Sequence, residues 1–421
     1  MFGWEFPPYM SGGLGTACLG ITRALMNQQV KVLFVMPGKK KLHDDRMIRF
    51  ISPEGIIEDS YPDVGGSAKT GMSRYLVESS LHPYLKAGAY EGQRIAGTSI
   101  LAGLGADGIA EFVPYGSDLF VEVGRYARSA EAIARAESFD VIHSHDWMTV
   151  HAALKAKEIS GKPWIFHVHS LEQDRSGEAA NASIIEVERR GMIESDHIVA
   201  VSNYTKRCIV TYYGIPTDKV SVVHNGIFLG DNPDATDAMR GDEKKAKNIL
   251  FLGRITFQKG PEYFVEAAAE VLKRLPEVKF IMAGSGDMMP GMIEKVAELG
   301  IGQHFHFAGF LRGDDVEKVF RMSDLYVMPS VSEPFGISPL EATRFGVPVI
   351  MSRQSGVAEI LHHCLLVDFW NVRDLSDKMI ALLCREPLAT ELRIRSREEL
   401  PRADWNEAAQ KIKAVYTQVM H

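Results

Sequence analysis

Short β-rich apolar runs alternate with long helical patterns along the chain, and that alternation leaves few architectures open. KVLFVMP (31–37), SRYLVES (73–79), DVIHSH (140–145), PWIFHVH (163–169), HIVAVS (197–202) and VSVVHN (220–225) read as strands in the first half. NILFLG (248–253), VKFIMAG (278–284), DLYVMPS (324–330), VPVIMS (347–352) and CLLVD (364–368) read the same way in the second. Helical stretches such as PEYFVEAAAEVLKRL (261–275) fall between them. This order of elements is the mark of an α/β protein with parallel sheets.

At 421 residues the chain exceeds one ordinary domain, so two are expected. The segment GDNPDATDAMRGDEKKAKN (230–248) is polar, turns often and lacks an apolar period. It sets the expected boundary: a first domain over 1–229, a linker over 230–247 and a second domain over 248–403. ADWNEAAQKIKAVYTQVM then reads as an amphipathic helix from near residue 404 to the end. DHIVAVSNYTK (196–206) and DLYVMPSVSEP (324–334) each carry an Asp, an apolar strand and a Ser at its end, which hints at two similar doubly wound domains.

Apolar residues make up 46% of the chain and charged residues 24%, a globular balance that supports a full core. The net charge of 47 − 54 = −7 argues against general binding of nucleic acid or anionic membrane. A bound phosphate must therefore be held by local groups against an acidic mean field. Cys18, Cys208, Cys364 and Cys384 have no metal-ligand spacing, and so sparse a set suits a reducing compartment. No stretch approaches the roughly 18 to 20 apolar residues of a membrane span, and MFGWEFPPYM lacks the basic start and apolar run of a signal peptide. The expectation is a cytoplasmic protein without a transmembrane segment.

Ligands of open α/β sheets bind outside the carboxyl ends of the strands. Here HSHD, HVHS, SNYT, HNG, GRITFQKG, AGSGD and SVSEPFG close the strands, rich in Gly, His, Ser, Asn and charge. Such endings suggest a cleft between two facing domains. SGGLGT (11–16) precedes a helix expected from about Leu14 to Gln28. Its glycines serve either a tight turn or the close approach of backbone to a phosphate. GRITFQKG (253–260) carries Arg254 and Lys259, and Pro261 starts a helix. Two cations there are either a solvated loop or a diphosphate clamp.

SVSEPFGISPLEA (330–342) sets Glu333 and Glu341 eight positions apart. Ser338, Pro339 and Glu341 form a capping box on paper, with Ser at the N-cap, Pro at N1 and Glu at N3. The same helix start can offer amides to a phosphate, with Glu341 on a ribose diol and Glu333 on sugar hydroxyls. His143/His145 and His167/His169 are HxH pairs, each on one face of its strand. No Cys joins them and Asp146 is the one adjacent carboxylate. Hydrogen bonding to a ligand by one or two of these imidazoles is the expectation, and no metal site.

With these residues assembled, the chain resembles the retaining nucleotide-sugar glycosyltransferases of the GT-B fold, family 4 type, a group that includes glycogen synthases and sucrose-phosphate synthases. GGLG, HSHDW, HVHSLEQDRSGE, AVSNYTK, VVHNGI, GRITFQKG, AGSGD and SEPFGISPLEA stand in the family's order, the last as its E-x7-E signature. The resemblance implies two Rossmann-like domains facing across a cleft, with the final helix and Trp405 crossing back onto the first. It implies Gly12, Gly13 and Gly15 near the donor diphosphate and Arg254 and Lys259 neutralising that group as it leaves. His169 would sit beside the sugar, with Glu333 on the transferred sugar and the amides of Phe335 and Gly336 helping to hold it. Ser338, Leu340 and Glu341 would line the donor's phosphate and ribose, Gly284 and Gly286 its base, and His145, Asp146 and Asn225 the sugar or acceptor side.

The implied activity is retaining, metal-independent hexosyl transfer, glucosyl by preference, from a UDP- or ADP-sugar to a carbohydrate acceptor, in glucan or surface-polysaccharide synthesis. No cofactor is implied beyond the donor. Sucrose-phosphate-synthase-like transfer to a small sugar is the alternative within the class. A GT-B nucleotide-sugar epimerase, which needs no acceptor, and a non-catalytic sugar-nucleotide binder are the alternatives outside it. Two departures from the family stand out. Bacterial starch and glycogen synthases have Lys two places before the paired glycines, where this chain has Met10, which favours the wider, often UDP-dependent group. Relatives carry several residues before the strand that MFGW would form, so either the true start lies upstream or this central strand is short. Residues 53 to 130 offer no acceptor motif.

Overall fold

The computed structural model describes residues 1–7, 12–38, 49–52, 55–57, 73–78, 119–228 and 246–421. The expected linker at 230–247, but for its last two residues, and Met10 lie outside these residues. So does most of the stretch from 53 to 130. The chain divides into two compact units. The first holds Met1–Val168, Asn181–Val199 and Lys413–His421, and the second holds His169–Ala180 and Ala200–Ile412.

The first unit is built on parallel strands. β1 (Leu33–Gly38) pairs with β4 (Ser73–Glu78), and β4 pairs with β2 (Arg49–Ser52), both parallel; β2 pairs antiparallel with β3 (Gly55–Ile57). β5 (Ile142–His145) pairs in parallel with β6 (Trp164–Val168), and β7 (His197–Ala200) follows. The segment at Met1–Gly3 joins the two sets through bridges from Phe2 to Val35 and to Ser144, so the short first strand expected at MFGW is an isolated bridge on each side. Its amides are satisfied all the same: Phe2 N donates to His143 O at 2.8 Å and Gly3 N to Val35 O at 2.9 Å. Helices α1 (Gly13–Asn27), α2 (Leu119–Ala136), α3 (Val150–Ser160) and α5 (Ala182–Glu194) supply the cover, and α4 (Glu172–Ser176) belongs to the second unit.

The second unit has one six-stranded sheet: β9 (Asn248–Leu252), β10 (Lys279–Ala283), β11 (Phe305–Gly309), β12 (Leu325–Met328), β13 (Val349–Ser352) and β14 (Leu365–Val367). Its order is β11-β10-β9-β12-β13-β14, parallel throughout. Successive strand residues bury on opposite faces, as sheets covered on both sides require. Phe251, Phe280, Met282 and Val327 face one apolar layer with α7 (Pro261–Leu272), α8 (Met289–Glu298), α11 (Val372–Cys384) and α12 (Glu386–Glu399). Leu250, Ile281, Tyr326 and Met351 face the other, with α9 (Asp314–Arg321) and α10 (Ser338–Arg344). β8 (Val220–Val222) and α6 (Asn203–Tyr213) complete the unit. The doubly wound α/β class expected from the sequence is the one observed. Helix α13 (Trp405–Met420) starts in the second unit and ends in the first.

The end of α13 is anchored by a buried polar chain within the first unit. The Tyr416 hydroxyl lies 2.6 Å from His143 Nδ1, and His143 Nε2 lies 3.1 Å from His167 Nδ1. Burial raises the Tyr416 hydroxyl far above its ordinary value, so it keeps its proton and donates. His143 Nδ1 then accepts, which leaves Nε2–H to donate to His167. Tyr416→Phe removes the hydroxyl that His143 Nδ1 accepts from. We expect a loss of about 1–3 kcal/mol in a denaturant titration, and an unchanged midpoint would show that the hydroxyl anchors nothing.

Candidate functional site

The second unit's sheet grows outward from β9 in two directions. The chain proceeds β9, β10, β11 to one side and then returns to β12, β13, β14 on the other. The switch point between β9 and β12 is where an open sheet leaves a crevice at its carboxyl edge.

The loops at that edge are stitched together by their own backbone. Gly253 N donates to Ala283 O (3.0 Å), Ile255 N to Ser285 O (2.9 Å) and Met288 N to Ile255 O (3.0 Å), joining the loops after β9 and β10. Val331 N donates to Gln258 O (2.9 Å), joining the loops after β9 and β12. Glu333 N donates to Gln354 O (2.8 Å), and Gly356 N donates to Glu333 O (2.9 Å), joining those after β12 and β13. This explains some of the glycines. A Cβ on Gly284 would fall 1.8 Å from Gly253 O, and one on Gly286 would fall 2.2 Å from Ile255 O. Gly260, at φ +60, would meet Pro329 O at 2.2 Å.

On this frame Lys259 Nζ donates to Glu333 Oε2 in an ion pair, with side chains 18% and 7% exposed. Ser330 Oγ donates to the same oxygen at 3.3 Å. The two residues that the sequence placed on a diphosphate and on a sugar therefore touch each other. Arg254 Nη2 donates to Gln258 Oε1 at 2.8 Å, which holds the guanidinium on the same loop. Gly336, at φ +95, leaves room beside Glu333, since a Cβ there would come within 3.1 Å of Glu333 Cγ. Among the described residues no acceptor takes the amide protons of Phe335, Gly336 or Ile337. The Phe335 ring itself is in the core.

The capping box expected at Ser338 is not formed. Ile337 is already helical at φ −78, ψ −35, and the cap has no side-chain hydrogen bond. The Ser338 hydroxyl instead lies 2.7 Å from the hydroxyl of Tyr326, a buried residue of β12 whose hydroxyl also lies 3.2 Å from Leu252 O. Glu341 is thereby released from a capping role. Its carboxyl receives no hydrogen bond among the described residues, and desolvation pushes it up to about 7, partly offset by Arg344. Leu340 is a packing residue here: its side chain is in the core, and its amide donates to Ile337 O at 2.9 Å.

His169 begins the segment that joins this unit with α4, and burial pushes its imidazole down to about 3, so it is neutral near pH 7. Sequence reasoning missed Asp174 on α4. Its carboxylate accepts from Ser332 Oγ at 2.5 Å and from Leu171 N at 2.8 Å, and Ser332 is next to Glu333 in sequence. Tyr204 shares the Ser332 hydroxyl at 2.9 Å. Burial raises Asp174, against the pull of those hydrogen bonds and Arg175. The acidic run in LEQDRSGE was the available signal, and nothing in it singled out one carboxylate. Asn225 lies on the segment beside Ile227, which bridges to Asp404, and no described hydrogen bond links it to the Lys259–Glu333 pair.

The remaining expected residues belong to the first unit. Gly12 and Gly13 stand at the start of α1, and nothing lies within 4 Å of where a Gly13 Cβ would be. The Gly15 amide is taken by Glu5 Oε2 at 3.2 Å, so that amide is spent on a carboxylate. His145 and Asp146 are buried at the end of β5, Asp146 at φ 58. The ligand nitrogens of His143, His145 and His167 lie within 4.8 Å of one another. A cation there would have to displace the Tyr416–His143–His167 hydrogen bonds, which already engage both nitrogens of His143.

The family described as Glycosyl transferases group 1 matches residues 234–399, and Glycosyltransferase Family 4 matches 104–230. A protein of Methanocaldococcus jannaschii described as an uncharacterized glycosyltransferase is 30% identical over 378 residues, covering 86% of this chain and 82% of its own. The D-inositol 3-phosphate glycosyltransferase of Mycolicibacterium smegmatis is 28% identical over 309 residues, 69% of this chain and 70% of its own. Among solved structures, the sucrose-phosphate synthase of Thermosynechococcus elongatus superposes with a TM-score of 0.73 at 17% identity, over 99% of this chain and 98% of that one. Anabaena HepE in complex with UDP and glucose gives 0.69 at 14% identity, over 99% and 98%.

The loop after β13 is tied down by Glu359. Its carboxylate accepts from the amides of Asn203 and Tyr204 at the start of α6, each at 2.8 Å, and lies 2.8 Å from His224 Nε2. Desolvation opposes the charge, but His224 and those donors win and hold the carboxyl down at about 2. A folded value below the ordinary 4.5 contributes stability that is complete above about pH 4.5 and lost as pH falls towards 2. Solvent screening limits it to about 1–2 kcal/mol. Glu359→Gln should lower stability at pH 7 by that amount and flatten the acid limb of a pH–stability curve; parallel curves for the two proteins would refute it.

Proposed function

The chain belongs to the GT-B glycosyltransferases, of the group 1 and family 4 kind, and on that premise we propose that it transfers a hexosyl group, glucosyl in this reading, from a nucleoside-diphosphate sugar to an acceptor hydroxyl with retention at the anomeric carbon. The observation that carries this reading is the Lys259–Glu333 pair at the β9/β12 switch point, on loops stitched to one another by backbone hydrogen bonds. Lys259 supplies a point charge and Arg254 a planar fork for the diphosphate, so charge that develops on the leaving group meets cations already in place. Glu333 accepts from sugar hydroxyls, and the free amides at Phe335 and Gly336 support the sugar. Glu341 accepts from the ribose diol. His169, neutral, serves as a hydrogen-bond partner to the sugar and not as a cation.

Retention does not require a carboxylate nucleophile in this reading. A retaining hydrolase places one about 5 Å from its acid, whereas here the acceptor attacks from the face the diphosphate leaves, and a departing phosphate oxygen takes the acceptor's proton. The built-in cations remove the need for a metal. UDP and ADP are the bases to try first. The class of acceptor divides into two readings. A glucan or surface polysaccharide follows from the wider family. A small phosphorylated polyol or sugar is favoured by the similarity to D-inositol 3-phosphate glycosyltransferases. An epimerase would release a changed sugar with no acceptor present.

The deciding experiment incubates the protein with a panel of UDP-, ADP- and GDP-sugars, with and without inositol phosphates, sugar phosphates and glucan. It follows released diphosphate and the anomeric configuration of the product. Acceptor-dependent release with an axial product is expected; turnover of donor to an isomeric sugar nucleotide would favour the epimerase. Arg254→Ala should lower turnover at least a hundredfold with little change in melting. Lys259→Ala should do the same, but it strands a buried carboxylate on Glu333, so some loss of stability is expected with it. Near-normal turnover in either would remove the clamp.

A Glu341 carboxyl near 7 adds a pH signature. Its raised value costs stability above pH 4.5, and it is mostly protonated below 7. The ionised form is the better acceptor for a ribose diol, so donor affinity should rise by up to about tenfold between pH 6 and 8. Glu341→Gln should abolish that step, and an identical pH profile in the variant would separate Glu341 from the donor.

A further inference from the structure

The proposed donor site holds its own anion. Lys259 is expected on the diphosphate and Glu333 on the sugar, yet the two are joined to each other, with Ser330 on the same carboxylate oxygen. Both side chains are mostly withdrawn from water. Their backbones cannot follow a ligand easily. Glu333 is pinned on both sides, through its amide to Gln354 and through its carbonyl to Gly356, and the Lys259 loop is closed by Lys259 N to Thr256 O at 3.0 Å and by Gly260 against Pro329. The side chains alone can rearrange, and the missing Cβ at Gly336 gives Glu333 room to do so.

We propose that Glu333 is a specificity-determining residue that competes with the leaving group for Lys259, so that the site discriminates the intact nucleoside-diphosphate sugar from the bare nucleoside diphosphate. The inference rests on the donor-site reading above. A diphosphate that reaches Lys259 must displace Glu333. With the intact donor, the displaced carboxylate finds the sugar's hydroxyl donors. With the nucleoside diphosphate alone it finds none, and a carboxylate left buried without its cation is costly. The same asymmetry acts after transfer. Once the sugar has gone, Glu333 returns to Lys259 and weakens the grip on the diphosphate, which favours its release. No bond is made or broken in this exchange; one anion replaces another on the Lys259 ammonium.

The test measures dissociation constants for UDP and UDP-glucose (and for ADP and GDP with their sugars) on the whole 421-residue chain by calorimetry. Glu333→Gln keeps the shape and removes the competing charge. It should bind the bare diphosphate at least tenfold more tightly than the unaltered protein, and the ratio of donor to diphosphate affinity should fall by tenfold or more. Glu333→Ala should shift that ratio in the same direction, which covers the case in which the glutamine variant fails to fold. The double variant Lys259→Ala/Glu333→Gln strands no charge and should lose the gain. Unchanged or weaker diphosphate binding in both single variants, with melting curves showing folded protein, would overturn the proposal. Failure of the unaltered protein to bind any nucleoside diphosphate or its sugar would instead overturn the donor-site reading itself.

Discussion

A cation and a carboxylate mostly removed from water hold each other at the point where the second unit's sheet reverses its strand order. Each charge would be expensive there alone. Together they are tolerable only because the loops that carry them are fixed beforehand, by backbone hydrogen bonds running from the loop after β10 through that after β9 to those after β12 and β13. The strand order makes this possible, since β9 lies between β10 and β12 although it precedes both in the chain. The glycines follow from the same constraint. Gly260 and Gly284 lie where a neighbouring carbonyl occupies the space of a side chain, so they are needed for the loops to meet whether or not a phosphate arrives.

The three acidic groups around this rim show how one residue type is put to different uses by its surroundings. Glu359 receives two amides from the start of α6 and a histidine, and is held ionised. Asp174 is equally occupied, by Ser332 and Leu171, and joins α4 to the residue before Glu333. Glu341 receives nothing among the described residues and is raised by burial. The first two are engaged in holding protein segments together. The third has hydrogen-bonding capacity left over, and spare acceptor capacity in a partly covered carboxyl is what a ligand hydroxyl can use.

Much of the fold was legible because it depends on local pattern. The strands read from apolar runs all recur, with ends shifted by a few residues, and α1, α7 and α13 start within a residue or two of their expected positions. The strands that escaped were short or mixed. FHFAG at β11 lies on the edge of its sheet and is only partly buried, and His306 interrupts its apolar run. β2 and β3 are four and three residues long. In the candidate site, Arg254, Lys259 and Glu333 stood out by residue type and position at strand ends, and the fold brings Lys259 and Glu333 together. What was not legible was pairing over long separations. Nothing in SEPFG announces that Glu333 meets a lysine 74 residues earlier, or that Ser332 meets Asp174.

The failed capping box shows the limit of motif reasoning in physical terms. Ser338, Pro339 and Glu341 satisfy the spacing of a helix start, and an isolated peptide would have reason to use it. In the folded chain another partner reaches the serine first: Tyr326, wholly buried on the adjoining strand, places its hydroxyl 2.7 Å from Ser338 Oγ and 3.2 Å from Leu252 O. The helix begins one residue earlier, the serine turns inward, and the glutamate three residues on is left without the role its spacing suggested. A local rule gave way to a long-range hydrogen bond, and the consequence is a carboxyl available for other partners. The capping explanation for an acid at that position therefore does not hold in the folded chain, and what the spacing left unexplained is a carboxyl raised by burial with acceptor capacity to spare.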